Sequence, residues 1–379
     1  MIRRAFVSLV LFSLSPPGSG AAQDADPSWQ SQFANAVSWS TYGVRDDNGT
    51  TDNTTSLNAI PGNVPIIADC PHGGYVQFSG TWNWPTGLTV WQKPGCFLKS
   101  TITAPGYYPI SIPGGNAARA PIKNVHYYGM NFSFIRPTNA VRMMLAWIDH
   151  FKFKNFIIDG SGGFAFLRGS DQEIAYGVMK NTITAPGNPG IRHIGNVPRV
   201  PTSPGMPANV WIHHNKFQTG DSPFQACQPV TNPLTWMYNV SSDNILFEDN
   251  YGESSSSTII LASEPLTPAT ATQFICNDIT FRRVSGKGVW YALVLAGNDN
   301  TVTSNITVDG GSFDGSASNN RLPAIGVGDV TYGGMTNNSV HTFNVTVKNT
   351  TMTKLSHGPL IISGSIPGLF IKENNFPSP

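Results

Sequence analysis

The sequence predicts an all-β fold, a right-handed parallel β-helix, on three observations. With 38 Gly, 29 Pro and 11% aromatic residues, the composition suits many short strands joined by turns. From about residue 120 onward, a unit recurs in which an asparagine precedes an alternating apolar strand. A second short strand follows after a turn, as in Phe224 to Cys227 and Ile259 to Ala262. Stacking such units would bury one continuous apolar column.

The recurring unit begins at irregular intervals, which from Asn209 measure 35, 33, 28, 39 and 24 residues. This spacing favours a coil with loops of varying length over a helical repeat. Alternation places Val210 and Ile212 on the buried face and turns Trp211 and His213 outward. Asparagine suits the turn because it tolerates a left-handed backbone, and stacked amides can bond to one another. The predicted units begin at Asn124, Asn155, Asn209, Asn244, Asn277, Asn305, Asn344 and Gly368.

The first 22 residues have the pattern of a secretory signal peptide. A charged start, Met1 to Arg4, precedes the apolar run Ala5 to Leu14 and small residues up to Ala22. That run is too short to span a bilayer, and no later segment approaches the roughly 20 apolar residues of a membrane helix. We therefore predict cleavage after Ala22, an exported protein (extracellular or periplasmic), and a single β-helix domain over residues 23–379.

The cysteines and the charge narrow the class of protein further. Four cysteines without metal-ligand spacing indicate disulfides in an exported chain, and we predict Cys70–Cys96 and Cys227–Cys276 because each pair flanks neighbouring segments. Four cysteines permit three connectivities. Charged residues make up only 12% and the net charge is +1, so nothing points to nucleic acid or a membrane surface as partner. No metal site or cofactor is predicted, and the oligomeric state is left open.

Residues 42–60 run from an aromatic–glycine pair through Asp/Asn/Gly turns to an Asp-Asn-Thr-Thr cluster that can cap a short helix. Residues 73–81 then give an alternating strand ending at a glycine turn, and Leu88 to Trp91 give a second strand. This order resembles the opening of the pectate-lyase-like superfamily, which includes the polygalacturonases and many phage tailspikes. The resemblance implies a parallel β-helix with a capping helix and, for a catalytic member, activity on polysaccharides.

Thr219-Gly220-Asp221-Ser222 lies between the two predicted strands of one unit, where it resembles the Gly-Asp-Asp of polygalacturonases. The resemblance implies that Asp221 matches the general acid, whereas Ser222 replaces the Asp that helps to activate water. The family's Asn-Thr-Asp, Gly-His-Gly and Arg-Ile-Lys motifs are missing from the neighbouring units. Since an inverting glycosidase needs two carboxyl groups, we predict a catalytic set of Asp171, Asp221 and Glu264. The alternative for each is a turn residue that caps backbone amides.

We predict that outward aromatic and polar side chains bind the polysaccharide, since tryptophan faces stack well on sugar rings. The predicted substrate-binding residues are Arg168, Arg192, Trp211, His213, Trp236 and Trp290.

Two other functions stay open. A polysaccharide lyase would need a base and a cation beside a uronate, and Ca²⁺ is left open as its cofactor. The candidates for base and cation by residue type are Arg192, His193, His213, Lys216, Arg282 and Arg283. His213 and His214 are expected to point to opposite faces of the strand, with His213 a surface residue. A non-catalytic glycan-binding or adhesive β-helix is the second alternative.

Overall fold

The structure, a computed structural model, describes residues 27–103, 108–112, 122–180, 191–193, 209–219, 224–226, 240–254, 257–262, 274–287, 291–296, 301–314, 325–328, 342–354, 360–363 and 366–376. Strands dominate these residues, and each strand pairs in parallel with strands one coil earlier or later. The chain is therefore a right-handed parallel β-helix, as the sequence predicts. Residues 1–26, with the predicted signal peptide, lie outside the described part.

The strands form three parallel sheets that share one core. The first sheet contains β1 (Val37–Ser38), β2 (Pro65–Ala68), β5 (Thr89–Gln92), β8 (Ile122–Tyr128), the end of β9 (Asn131–Lys154), β11 (Gln172–Ala175), β14 (Val210–His213), β17 (Val240–Glu248), β20 (Phe274–Arg282), β23 (Thr301–Asp309), β26 (Thr342–Lys348) and β29 (Phe370–Lys372).

The second sheet contains β3 (Tyr75–Phe78), β6 (Phe97–Ser100), the starts of β9 and of β10 (Ile157–Arg168), β12 (Val178–Lys180), β15 (Lys216–Thr219), β18 (Tyr251–Ser254), β21 (Ser285–Lys287), β24 (Ser312–Asp314) and β27 (Thr351–Thr353). The third contains β4 (Trp82–Asn83), β7 (Ile110–Ile112), the middle of β9, the end of β10, β13 (Ile191–His193), β16 (Phe224–Ala226), β19 (Ser257–Ala262), β22 (Tyr291–Ala296), β25 (Ile325–Gly328) and β28 (Leu360–Ser363).

The core is a column of inward side chains in register from coil to coil. In the first sheet, Ile212 of β14 pairs with Ile174 of β11 and with Phe247 of β17, and all three are fully buried. The same position continues through Phe281, then Val308 and Val347. Period-2 alternation thus turns one half of each strand inward and leaves the other half for outward chemistry.

Two turn columns bound the first sheet, and from Asn124 onward each coil contributes one left-handed residue to each column. The first column precedes the strand and holds Asn124, His150, Asp171, Asn209, Asn244, Asp278, Asn305, Asn344 and Gly368. The second column comes five residues later in every coil and holds Gly129, Asn155, Tyr176, His214, Asp249, Arg283, Gly310, Asn349 and Glu373. The predicted asparagine turn is confirmed, with two corrections. Asn155 belongs to the second column, and in the coil of β20 the first-column residue is Asp278 rather than Asn277.

Amide side chains tie consecutive turns together. In the first column, Asn244 Nδ2 donates to Asn209 Oδ1 at 2.7 Å, and Asn344 Nδ2 donates to Asn305 Oδ1 at 3.1 Å. Behind the second column, the buried Asn215 donates to the carbonyl of Ile174 and accepts from the Gly177 amide. These bonds satisfy polar groups that the turns would otherwise bury without partners.

The N-terminal end is capped as predicted. The helix α1 (Thr54–Asn58) starts where Asp52 Oδ1 accepts a hydrogen bond from the Thr54 amide, and Leu57 is fully buried. Two 3-10 helices, Pro27–Phe33 and Trp39–Tyr42, precede it. The predicted disulfide Cys70–Cys96 is present. Cys227 lies outside the described residues, so the second predicted disulfide stays a prediction.

Within the described residues, no helix is both long and apolar enough to span a membrane.

Candidate functional site on the first sheet

The outward side chains of the first sheet form a polar strip in the middle of the coil. We call it the central strip and define it by six residues from five consecutive first-sheet strands, which occupy two neighbouring outward positions of the register. Beside it lies the part of the second turn column with large polar side chains, which we call the polar turns: Tyr176, His214, Asp249 and Arg283. The central strip consists of Lys154, Glu173, Trp211, His213, Glu248 and Arg282.

Glu173 is the anionic centre of the strip. Its Oε1 lies 2.5 Å from Lys154 Nζ and 3.2 Å from His213 Nε2, and its side chain is only 18% exposed. Burial alone would raise the pKa of this carboxyl, but hydrogen bonds from His213 and Lys154 and their charges outweigh it and lower the pKa to about 2. Glu173 is therefore an anion at any pH near neutrality.

Trp211 and His213 lie side by side on β14, and their rings stack with centroids 3.7 Å apart and an angle of 21°. Trp211 Nε1 donates to Glu248 Oε2 at 3.3 Å, so the indole is held at its edge as well as on one face. The indole is nevertheless 40% exposed, whereas His213 is 2% exposed beneath its neighbours. The strip thus offers a fixed aromatic surface to solvent.

Glu248 and Asp249 form the second anionic group, and two arginines from the next coil neutralise it. Arg283 reaches both carboxylates, at 2.6 Å from Glu248 Oε1 and 2.7 Å from Asp249 Oδ1, and Arg282 Nε lies 2.7 Å from Glu248 Oε1. Burial raises the pKa of Glu248, but the hydrogen bonds from Arg282 and Arg283 outweigh it, and the net pKa is lowered. The pKa of Asp249 is also lowered, mainly by its hydrogen bond from Arg283. Both carboxylates are therefore ionised near neutral pH.

The polar turns carry side chains that a left-handed backbone does not favour. Outside Gly, Asn and Asp, a residue in this region costs roughly 1–2 kcal/mol, yet φ is 55° at Tyr176, 55° at His214 and 52° at Arg283. The neighbouring positions of the same column are Asn155 on one side and Gly310 on the other. Three such residues within four consecutive coils motivate a search for a function of their side chains.

Of the predicted catalytic residues, Asp171 lies in the described part, and it belongs to the first turn column. Its Oδ1 accepts a hydrogen bond from Asn209 Nδ2 at 3.0 Å, and His150 Nε2 lies 3.6 Å from its Oδ2. Asp171 precedes the first-sheet strand, whereas Thr219, the last described residue before Asp221, ends a second-sheet strand. The contacts of Asp171 are those of a turn residue. Asp221 and Glu264 lie outside the described residues.

The predicted binding residues divide in the same way. Trp211 is exposed, as expected. Arg168 ends β10 and Arg192 lies in β13, but their side chains are outside the described part. Trp236 and Trp290 also lie outside it.

Two expectations about the histidines are wrong. His213 faces outward but is not a surface residue, because Trp211 stacks on one side and Glu173 lies 3.2 Å from its Nε2. His214 does not point to the opposite face, because it occupies the left-handed turn and no longer follows strand alternation. As a result, the two Nδ1 atoms lie 2.8 Å apart.

Sequence reasoning did not identify the roles of Lys154, Tyr176, His214 and Asp249. The sequence does contain a signal for the polar turns. Each of them comes five residues after the first-column residue of its coil, as His214 comes after Asn209, so this fixed spacing could have identified them. Among the described residues, no group of three or more His, Cys, Asp or Glu side chains could hold a metal ion.

Solved structures share this fold. A family 28 exopolygalacturonase from Yersinia enterocolitica matches with a TM-score of 0.52 and 12% identity, over 90% of this chain and 79% of that chain. A polygalacturonase from Erwinia carotovora ssp. carotovora matches with a TM-score of 0.53 and 13% identity, over 86% of this chain and 94% of that chain. No protein-family model and no curated protein matches the chain. At such identities the likeness concerns the fold, and function has to be argued from the site.

Proposed function

We propose that the protein is an exported enzyme that binds a polysaccharide along the central strip and cleaves it by hydrolysis. The observation that carries this proposal is Trp211, an exposed ring fixed by His213 and by Glu248 in the middle of a polar strip. A sugar ring offers an apolar face for stacking and hydroxyl groups for hydrogen bonds. A rigid aromatic surface flanked by carboxylates and cations complements both.

The shape of the strip suits a polymer. It runs along the coil axis from Lys154 to Arg282, across five first-sheet strands. Neighbouring strands are roughly 4.8 Å apart, so this stretch measures about 19 Å and continues through Asp309 and Lys348. An extended oligosaccharide fits such a surface better than a compact metabolite does.

The ionisation of the described carboxylates limits their roles. A general acid must hold a proton near the working pH, and the lowered pKa values of Glu173, Glu248 and Asp249 exclude that role for them. Each of them is already paired with a cation, so we assign them the role of holding the lysine and arginine side chains of the site in place. Because these three carboxyl groups are ionised, the general acid has to be another residue. We retain Asp221 as the proposed acid and Glu264 as the second proposed carboxylate. Asp171 is the weakest member of the set because of its turn contacts.

The experiment is to incubate the purified full chain with a panel of neutral and uronic polysaccharides and to assay reducing ends and unsaturated ends together. Hydrolysis produces reducing ends without unsaturation. Asp221→Asn and Glu264→Gln should each lower kcat by 100-fold or more. Asp278→Asn is the matched control, because it changes a carboxylate in a turn column to the residue most common there, and it should retain full turnover. Unchanged turnover in both test variants would contradict the proposed roles.

Elimination on a uronate-containing glycan is the second candidate. It is favoured by the lowered pKa of His214, which keeps a neutral base close to Arg283. It is disfavoured because Arg282 and Arg283 are already paired with Glu248 and Asp249, and therefore less able to neutralise a uronate carboxylate. Unsaturated products, with or without dependence on added Ca²⁺, would establish it. Saturable sugar binding without new chain ends would instead establish a non-catalytic glycan-binding protein.

A further inference from the structure

Three side chains of the site form a continuous chain of contacts in which a buried imidazole joins a partly buried carboxylate to an exposed imidazole. Glu173 Oε1 lies 3.2 Å from His213 Nε2, and His213 Nδ1 lies 2.8 Å from His214 Nδ1. The His213 side chain is only 3% exposed and lies between the Glu173 side chain, which is 18% exposed, and the His214 side chain, which is 41% exposed. A carboxylate that orients one imidazole, which in turn contacts a second, exposed imidazole, is an arrangement suited to moving a proton.

The hydrogen-bonding rules assign the protons of this chain. Glu173 is ionised and can only accept, so His213 donates from Nε2. A neutral His213 then accepts at Nδ1, and His214 must donate from its own Nδ1. The lone pair of His214 therefore lies on Nε2. That atom is 3.8 Å from Asp249 Oδ2, beyond hydrogen-bonding distance.

The backbone holds His214 in this position although it lies in a left-handed turn. The next residue, Asn215, is 2% exposed, and its Nδ2 donates to the carbonyl of Ile174 and to Asn250 Oδ1, both at 3.0 Å. One coil earlier in the same turn column, the Tyr176 ring stacks on the His214 ring with centroids 5.1 Å apart. The imidazole is therefore held from behind and along one face.

We propose that His214 is the general base of the hydrolysis, with His213 and Glu173 as positioning residues. This proposal rests on the proposed function and names a base among the described residues. His214 Nε2 takes a proton from water as the water oxygen forms a bond to the anomeric carbon. The glycosidic C–O bond breaks, and the leaving oxygen takes a proton from the general acid. The positive charge on His214 is stabilised through the Nδ1–H bond to His213 and, beyond it, by Glu173.

The charges around His214 are compatible with this role. The groups that face it are His213, Asp249, Glu248 and Arg283, together with the Tyr176 ring. Burial and then His213 lower the pKa of His214, Asp249 and Glu248 oppose this, and Arg283 adds to the lowering. A base with a pKa below the ordinary value of about 6.5 is unprotonated at neutral pH.

The test compares pH profiles of kcat/KM on a polysaccharide that the wild type hydrolyses. His214→Gln should lower kcat/KM by 100-fold or more at neutral pH and remove the acidic limb. Added imidazole should restore part of the activity of His214→Ala. Glu173→Gln removes the anion that stabilises protonated His214, so the acidic limb should move to lower pH, which loss of folded protein alone would not do. His72→Gln, a histidine far from the strip, is the control and should match the wild type.

The outcomes separate this inference from the function on which it rests. If the wild type hydrolyses a polysaccharide but His214→Gln keeps the acidic limb, His214 is not the base and the proposed function stands. If the wild type cleaves no polysaccharide, both fail. Nitrogen NMR of the imidazoles tests the proton assignment without substrate. A neutral His214 protonated at Nδ1 is expected, and protonation at Nε2 instead would overturn the relay.

Discussion

The outward face of the first sheet has two contrasting ends. At the N-terminal end, the outward residues of β5 and β8 are the aromatic Trp91 and Tyr128, and the 3-10 helix Pro27–Phe33 covers them. Trp29 stacks flat on Tyr128, with centroids 4.5 Å apart and an angle of 4°, and Phe33 contacts both aromatic rings. One coil further on, the same outward position is Lys154, and the polar central strip begins.

Both ends share the inward core, and the two faces differ in their outward side chains. Where these are aromatic, the chain closes over them itself. Where they are charged and hydrogen-bonded to one another, the face stays open, with Trp211 as its exposed aromatic ring. An aromatic ring therefore has a structural role at one end and a proposed binding role at the other, and the variants below test that distinction.

The largest expected effect on stability is at the closed end. Trp29→Ala removes a ring that packs against Phe33, Trp91 and Tyr128, so the free energy of unfolding should fall by about 3 kcal/mol in chemical denaturation. Trp29→Phe is the control. It keeps a ring and removes an indole N–H that is buried without a hydrogen-bond partner, so it should cost less than about 1 kcal/mol. An equal loss in both variants would refute a packing role.

A smaller effect is expected beneath the open strip. Asn215→Ala leaves the Gly177 amide and the Ile174 carbonyl without their side-chain partner, which should cost about 2 kcal/mol of unfolding free energy. Turnover should fall in addition, because the same turn carries His214. Asn209→Gly, in the exposed first column, keeps a residue that suits the left-handed turn and should change stability by no more than about 0.5 kcal/mol. If both variants lose the same stability, the buried amide has no special role.

The smallest effect concerns pH at the border between the two ends. Burial, and then the charge of Lys152, lower the pKa of His126 to about 4. Between about 6.5 and 4 the unfolded chain binds more protons than the folded one, so stability falls as the pH falls through this range, by about 1 kcal/mol. Glu173, whose pKa is lowered to about 2, adds a loss below about 4.5. In His126→Gln, the midpoint of chemical unfolding should depend less on pH between about 6.5 and 4 than it does in the wild type. The same pH dependence in both proteins would contradict this assignment.

The coil could be predicted from sequence because its rules are local and repeat. Alternation fixed which side of β14 is buried, and asparagine marked the left-handed turns. The two errors of register, at Asn155 and Asn277, arose because Asn suits the second turn column and the position before a turn as well. A side-chain preference alone cannot distinguish these positions, whereas pairing between coils can.

The site was harder to predict because its contacts join coils that are distant in sequence. Glu173 and His213 are 40 residues apart, and Arg283 and Glu248 are 35 apart. Loop lengths vary between coils, so no fixed spacing reveals such pairs. The exposure of Trp211 could be predicted from alternation, but the burial of His213 could not, because it depends on rings and carboxylates from neighbouring coils.

The most direct test of the account is to measure the affinity of wild type, Trp211→Ala and Trp29→Ala for an oligosaccharide of the substrate identified in the polysaccharide panel. Trp211→Ala should weaken binding by about tenfold or more, in line with the loss of a stacked aromatic contact of about 1.5 kcal/mol. Its stability should change little, since the ring is 40% exposed. Trp29→Ala should bind like the wild type at temperatures where it is folded. Unchanged affinity in Trp211→Ala, or an equal loss in Trp29→Ala, would contradict the assignment of the central strip as the binding surface.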